Sequence, residues 1–487
     1  MAATVATAHM IRVRATLTTG EPTVVLSGLF GDSAIHTRDR VRAAVVNAGF
    51  RWPSQTVALE VSPAPLQAAD SGVDLALAVA LLIATEQAPT PVLDNTVFLA
   101  ELGLDGSLRT PRALAERLTV AVRAGFGRAV VSAGSRELAA SVPGVTVWAA
   151  HHLRELVDLL KVAAGDGTRW PTPGVPVGDL ADLPAEHRHG RRVLEIAAAG
   201  GHRLALVGSA TAGATMLAER LPGLLPDLDE QTGQRVADLY RRAGLVPEPV
   251  TVLHRPPWQA PHHTTWIPAL LGGSRRPGAV SLAHAGVLFL ADAAEFSTRA
   301  IEVLCRPLDT GRVQLPDGTR VVEYPAHPQL VLAARPCPCF DTDGRCGCSP
   351  ARRARYLRRL RPLLDRVAIR TVLPPLPAPR ADASPGEATA TVAARVAQAR
   401  ATAATRWAGR YPTNAQARQG DLVQPLGRSA ARALAPLNAA IDAGGLSYPG
   451  GVQVLRLAWT LADLAGRALP DTAHVAEAIT LHTGDGI

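Results

Sequence analysis

The chain has 487 residues, 47% hydrophobic and 19% charged, with a net charge of +8 and a pI near 9.8. That length calls for two or three domains with ordinary globular cores. No apolar run reaches the ~20 residues of a membrane span, residues 1–20 lack a signal-peptide layout, and five cysteines with four in one loop do not make a secreted disulfide scaffold; a reducing, cytoplasmic location is expected.

Residues 23–29 and 56–61 are β-rich, and 37–48 between them carries a helical pattern that Gly49 ends. Helices are predicted over 74–85 (a buried one, since 75–84 is apolar), 112–124 and 153–160, with short strands over 97–100 and 129–132. This alternation makes an α/β or α+β domain over 1–165. Residues 166–184 are rich in Gly and Pro and form a linker. The block 185–375 alternates helix and strand. Its segments 203–207, 287–290 and 329–333 are apolar without alternation, as in strands buried on both faces of a parallel sheet. A hairpin over 313–322 turns at Asp317-Gly318. A second linker over 376–389 leads into a helical block over 390–487, with periodic Ala-rich segments at 452–464 and 471–481. The fold class is α/β.

Residues 204–217 read LALVGSATAGATML, a buried strand, a Gly-containing loop and a helix. The spacing is that of a P-loop, Gly-x4-Gly-Lys-Ser/Thr. Gly208 and Gly213 keep the glycine positions, Thr215 keeps the hydroxyl, and Ala214 stands where the lysine belongs. Backbone N–H groups of such a loop surround phosphate oxygens, so a weak ATP or ADP site remains conceivable. The ammonium that meets the β- and γ-phosphates is absent. The alternative is a plain strand–helix turn.

Cys337, Cys339, Cys346 and Cys348 form C-x-C-x6-C-x-C, a thiolate set suited to tetrahedral Zn²⁺. Asp-Gly within 340–345 supplies a turn between the pairs. Reduced thiols without metal are the alternative, and Cys305 reads as a core residue. Residues 351–366, ARRARYLRRLRPLLDR, are the densest basic run. Its arginines recur at helical spacing and suit DNA phosphates, or else a solvated face or a subunit interface. His262-His263 lacks a carboxylate at metal-like spacing and reads as structural.

GGHRLALVGSATAGATMLAERLPGLLPDL, RPPWQAPHHTTWIPALLGG, RRPGAVSLAHAGVLFLADAAEF, ARPCPC and LADLAGRALPDTAHVAEAI resemble the Mg-chelatase-like AAA+ ATPases of the ComM/YifB family, as do VRAAVVNAGFRWP and LAELGLDGSLR nearer the start. The resemblance spans about residues 10 to 482 and implies an N-terminal Lon-protease-like domain, an AAA+ core and a helical lid. It also implies a ring, commonly a hexamer, acting on DNA in recombination and natural transformation. Asp-Glu is the family's pair after the Walker B strand; Ala291-Asp292 stands here. The sensor position, normally Asn, is Arg335, and the lid motif Leu-Ser-x-Arg reads Leu446-Ser447-Tyr448-Pro449. Arg366 keeps the arginine-finger position. The family's basic pore loop falls on the hairpin, where only Arg320 is basic.

Loss of one transition-state charge contact costs roughly 2–4 kcal/mol, and phosphoryl transfer depends almost wholly on such contacts. Impaired or absent ATP hydrolysis is therefore expected, with Mg²⁺ binding doubtful. Asp292 and Arg366 are the candidate catalytic residues, and Gly208, Gly213 and Thr215 the candidate nucleotide contacts. Expected partners are other copies in a ring, an intact homologue in a mixed ring, and DNA; no membrane partner is expected. The other function class is an active ATP-driven DNA remodeller, branch-migrating or helicase-like, with unusual site residues.

Overall fold

In a computed structural model of the chain, the described residues are all except 7–8, 19–22, 30–31, 64–70, 91–94, 166, 168, 185–186, 340–345, 377–385 and 485–487, and the side chains of residues 32, 33, 71 and 210. The Asp-Gly turn expected within 340–345 lies outside them. The chain divides into two compact units, Met1–Trp170 with Gly244–Thr251, and Pro171–Ala243 with Val252–Ile487. Among the described residues no helix is long and apolar enough to cross a membrane.

The first unit contains β1 (Ala2–Ala6), β2 (His9–Thr18), β3 (Val24–Ser27), β4 (Thr56–Ser62), β5 (Thr96–Leu99), β6 (Glu101–Leu102), β7 (Leu108–Arg109), β8 (Arg128–Ser132) and β9 (Thr146–Ala150). Seven of these form one sheet in the order β3-β4-β2-β1-β5-β8-β9. β2 runs antiparallel to β1 and β4, while β1, β5, β8 and β9 run parallel. β1 and β2 were not predicted, yet β1 occupies the centre of the sheet. The helix expected over 74–85 is Asp74–Ala84, and residues 74–82 of it are all buried. Such a helix is apolar on every face because it has no solvent side. Its one early charge, Asp74, is neutralised by Arg40, whose Nε donates to Oδ2 at 2.7 Å. The helix expected from residue 37 begins earlier, as Asp32–Asn47.

The second unit is built on β10 (Leu204–Gly208), β11 (Trp258–Gln259), β12 (Val287–Leu290), β13 (Arg312–Asp317), β14 (Arg320–Pro325), β15 (Gln329–Ala334) and β16 (Ile369–Leu373). Five of them make a parallel sheet ordered β11-β12-β15-β10-β16. β10 and β12 are buried along their whole length, as their unalternated apolar sequences require. β13 and β14 pair as the expected hairpin, with Gly318 at φ +61° in the turn. One hydrophobic core joins the sheet to the helical segment after residue 388; it includes Val193, Leu204, Phe289, Val396, Trp407 and Leu457. The helix Thr389–Arg406 packs on the helix Arg188–Gly200. Arg400 donates through Nε and Nη2 to the carbonyl of Ala198, at 2.9 and 2.7 Å. There the guanidinium meets the negative end of a helix dipole.

Candidate functional site

In a parallel sheet the segments after the strands gather along one edge, where α/β proteins place their ligands. Register fixes which residues meet there: Val207 of β10 opposes Ala334 of β15, Gly208 opposes Leu373 of β16, and Leu290 of β12 opposes Leu332 of β15. The edge therefore collects the loop after Gly208, the pair Ala291-Asp292 and Arg335.

The loop leaves β10 through a short 3-10 turn, Ala210–Ala212, and enters the helix Ala214–Ala218. Gly213 lies at φ +69°, and a Cβ on it would stand 2.6 Å from Nε2 of the buried His187, so glycine is required on both counts. Ala214 and Ala291 are half-buried and pack against the hydrophobic core. Thr215 is exposed. No cation stands on the loop itself.

Asp292 occupies the left-handed region at φ +47°, which Asp tolerates better than most residues. Its Oδ1 accepts from Nε of Arg335 at 3.0 Å, and Nη2 lies at the same distance. The charges at these two positions thus neutralise one another. Mg²⁺ does not fit: Ala291 offers no oxygen, and the guanidinium already engages the Asp292 carboxylate. Pro449 lies in the first turn of the helix Tyr448–Leu464, capped by Ser447, and brings no charge.

Arg366 lies away from the loop, in a two-pronged pair with Asp309: Nε to Oδ1 is 2.7 Å and Nη2 to Oδ2 is 2.5 Å. The partner was not legible in the sequence, 57 residues away. Cys305, expected in the core, is half-buried at its edge, its thiol donating to Ile301 O at 3.3 Å.

The cysteines do converge. All four Sγ atoms lie within 4.8 Å of one another, with Cys337–Cys339 at 2.9 Å, Cys337–Cys346 at 3.0 Å and Cys339–Cys346 at 3.3 Å. A thiolate tetrahedron around Zn²⁺, with Zn–S of ~2.3 Å, has S–S edges of about 3.8 Å, so the four sulfurs have to spread by less than about 1 Å to take the ion; their number, softness and convergence suit zinc. The hydrogen bond with Cys337 holds Cys346 down at about 6, while burial pushes Cys337 up to about 12. A divalent cation would take the place of the protons that thiols such as Cys337 keep. Protein purified in reductant without chelators is expected to carry about one zinc per chain, lost in a C337S/C339S variant. Elemental analysis that finds no metal removes the assignment.

Residues 179–380 match the family described as magnesium chelatase, subunit ChlI; residues 13–135 match subunit ChlI of Mg-chelatase, and 386–482 its C-terminal part. An uncharacterized protein of Mycobacterium tuberculosis is 42% identical over 481 residues, covering 97% of this chain and 95% of that protein. YifB of Escherichia coli is 34% identical over 400 residues, 80% of this chain and 78% of YifB. Competence protein ComM of Haemophilus influenzae is 30% identical over 490 residues, covering 97% and 94%. The α/β architecture with its parallel sheet and many helices fits an AAA+ Mg-chelatase-like fold. With its Gly-x4-Gly loop after β10, its four-cysteine cluster and its likeness to YifB and ComM, the chain belongs to the Mg-chelatase-like ComM/YifB family.

Proposed function

We propose that this chain is a ring-forming subunit in DNA processing or recombination whose ATP hydrolysis is impaired or absent. In this reading a Lon-protease-like unit precedes an AAA+ core and a helical lid. The single observation that carries the hydrolysis part is the Arg335–Asp292 pair, at 3.0 Å. It engages Asp292, which stands where the family's Asp-Glu pair has the carboxylate that polarises the attacking water, with a side chain that donates hydrogen bonds and accepts none. Ala214 and Ala291 remove the lysine and the metal ligand beside it. The DNA part rests on family membership, on the likeness to Competence protein ComM, and on the net charge of +8.

Arg366 takes a role in trans here, completing the site of an intact homologue in a mixed ring. Its pair with Asp309 leaves the two side chains 26% and 48% exposed. A neighbour's phosphate would have to displace Asp309 from this two-pronged contact, which the exposure of the Asp309 carboxylate permits.

The test is phosphate release by the full chain, with and without DNA. Turnover far below ~1 per second is expected. A rate at or above that value, abolished by Thr215→Ala, overturns the reading.

A further inference from the structure

The helix Pro350–Arg358 follows directly on the cysteine cluster: Cys348 adjoins Ser349, whose side chain caps the helix by accepting from Arg352 N at 3.4 Å. Arg353 Nη2 then reaches back to the carbonyl of Cys346 at 3.1 Å. On its inner side the buried Tyr356 donates to Glu295 Oε1 at 2.7 Å, and Arg359 donates to Phe296 O at 3.2 Å. Both contacts seat the helix on the turn that follows Asp292.

Its outer side carries charge of one sign. Residues 352–361 hold six arginines, and no Asp or Glu occurs between Ser349 and Leu364. Arg352, Arg355, Arg358 and Arg361 are exposed, and none has a carboxylate partner among the described residues. Like charges at i, i+3 and i, i+4 destabilise a helix, so anions that meet the run relieve that repulsion. The face also lacks an exposed ring, since Tyr356 points inward. Base stacking on single strands needs such rings, whereas contact with a duplex backbone does not.

We infer that the arginine face of helix Pro350–Arg358 is a docking surface for the phosphate backbone of duplex DNA, and that the cysteine cluster at its N-terminus, through Cys346 and Ser349, sets where that face points. This rests on the proposed role in DNA processing and deepens it. Nine residues span about 13 Å, the axial length of roughly four phosphates of one strand. The contact is independent of base sequence. Zinc held by the four cysteines would fix Cys346, Cys348 and Ser349 at the start of the helix; the arginines make the contact.

Full-length protein is titrated against a fluorescent duplex of about 30 base pairs over a range of salt. Replacing Arg352, Arg355 and Arg358 together by Gln is expected to weaken binding at least tenfold at low salt. It should also flatten the plot of log K against log salt by roughly 3, about 0.9 for each phosphate contact removed. A matched variant with Arg418, Arg428 and Arg432 replaced by Gln changes net charge equally and should leave the slope within about 1. C337S/C339S, with every arginine intact, should weaken binding at least threefold. Chelation of wild-type protein should do the same and zinc should reverse it, which covers a variant that fails to fold. Equal loss in the two arginine variants overturns the location. Undiminished binding in both the cysteine variant and the chelated protein overturns the role of the cluster. Tighter arginine-dependent binding of duplex RNA than of DNA overturns the choice of partner. In those three outcomes the DNA-processing reading stands or fails by itself; no duplex binding by wild-type protein at low salt sinks both.

Discussion

Changing four residues together, A214K, A291D, D292E and R335N, is expected to raise Mg²⁺-dependent phosphate release by at least ~10²-fold over the parent chain. The change restores an ammonium on the loop, a metal ligand after β12, a longer carboxylate beside it and a neutral side chain after β15. All four positions lie on one edge of the sheet, because β10, β12 and β15 run parallel and in register. Two transition-state contacts at ~2.7–4 kcal/mol each correspond to roughly 10⁴–10⁶ in rate, and an unrefined site should recover part of that. Ala214 and Ala291 are half-buried rather than sealed, so longer side chains have a route toward solvent. The single changes should do little. R335N frees Asp292 but supplies no cation, and A214K supplies a cation but no metal ligand. Groups that act as a unit are strongly non-additive in this way. A quadruple variant that melts like the parent, binds nucleotide and still hydrolyses no faster would mean that the barrier lies outside these four positions.

Replacing Asp463 by alanine should destabilise the second unit by about 3–5 kcal/mol, a fall in melting temperature of roughly 6–20 °C. Only 1% of its side chain is exposed, and it accepts from both Nη atoms of Arg406, with Nη1–Oδ2 at 3.0 Å. Asn414 Nδ2 donates to the same carboxylate at 2.8 Å and in turn accepts from Trp407 Nε1 at 2.8 Å. The guanidinium lies 4.3 Å over the ring of Trp459. Removing the carboxylate leaves a nearly buried guanidinium and an amide without their partner, and the cost of that stranding exceeds the net worth of the pair itself. Removing Arg406 as well should be milder than the sum of the two single changes. Calorimetry showing Asp463→Ala within about 1 kcal/mol of the parent would show that water or a rearranged neighbour replaces the contact.

Local features were legible where one segment carries its own reason. The 204–217 loop was readable because an apolar strand, fixed glycines and a helix start follow one another within a few residues. The hairpin was readable from Asp317-Gly318 between two runs of strand residues. The N-terminal strands were not. β1 reads AATVA, five small residues buried on both faces with no alternation to betray a strand. Its place in the sheet comes from β2 folding back on it and from β5 alongside. Cys305 misled because its apolar neighbours suggested a core, whereas its position is the margin of one.

By itself the sequence determined which chemical groups this protein has: a loop with Gly208 and Gly213 but no lysine, an alanine before Asp292, an arginine at 335 and four cysteines in two pairs. Residue identity and short-range spacing decide these, and no folding changes them. Only the tertiary structure decided what those groups meet. Arg335 and Asp292 are 43 residues apart, and Arg366 and Asp309 are 57 apart. Such ion pairs follow from strand order and helix docking, since a charge binds whatever opposite charge the backbone delivers within about 4 Å. The cysteine cluster lies between these cases. Its spacing suggested convergence, but the approach of four sulfur atoms to within 4.8 Å belongs to the folded chain.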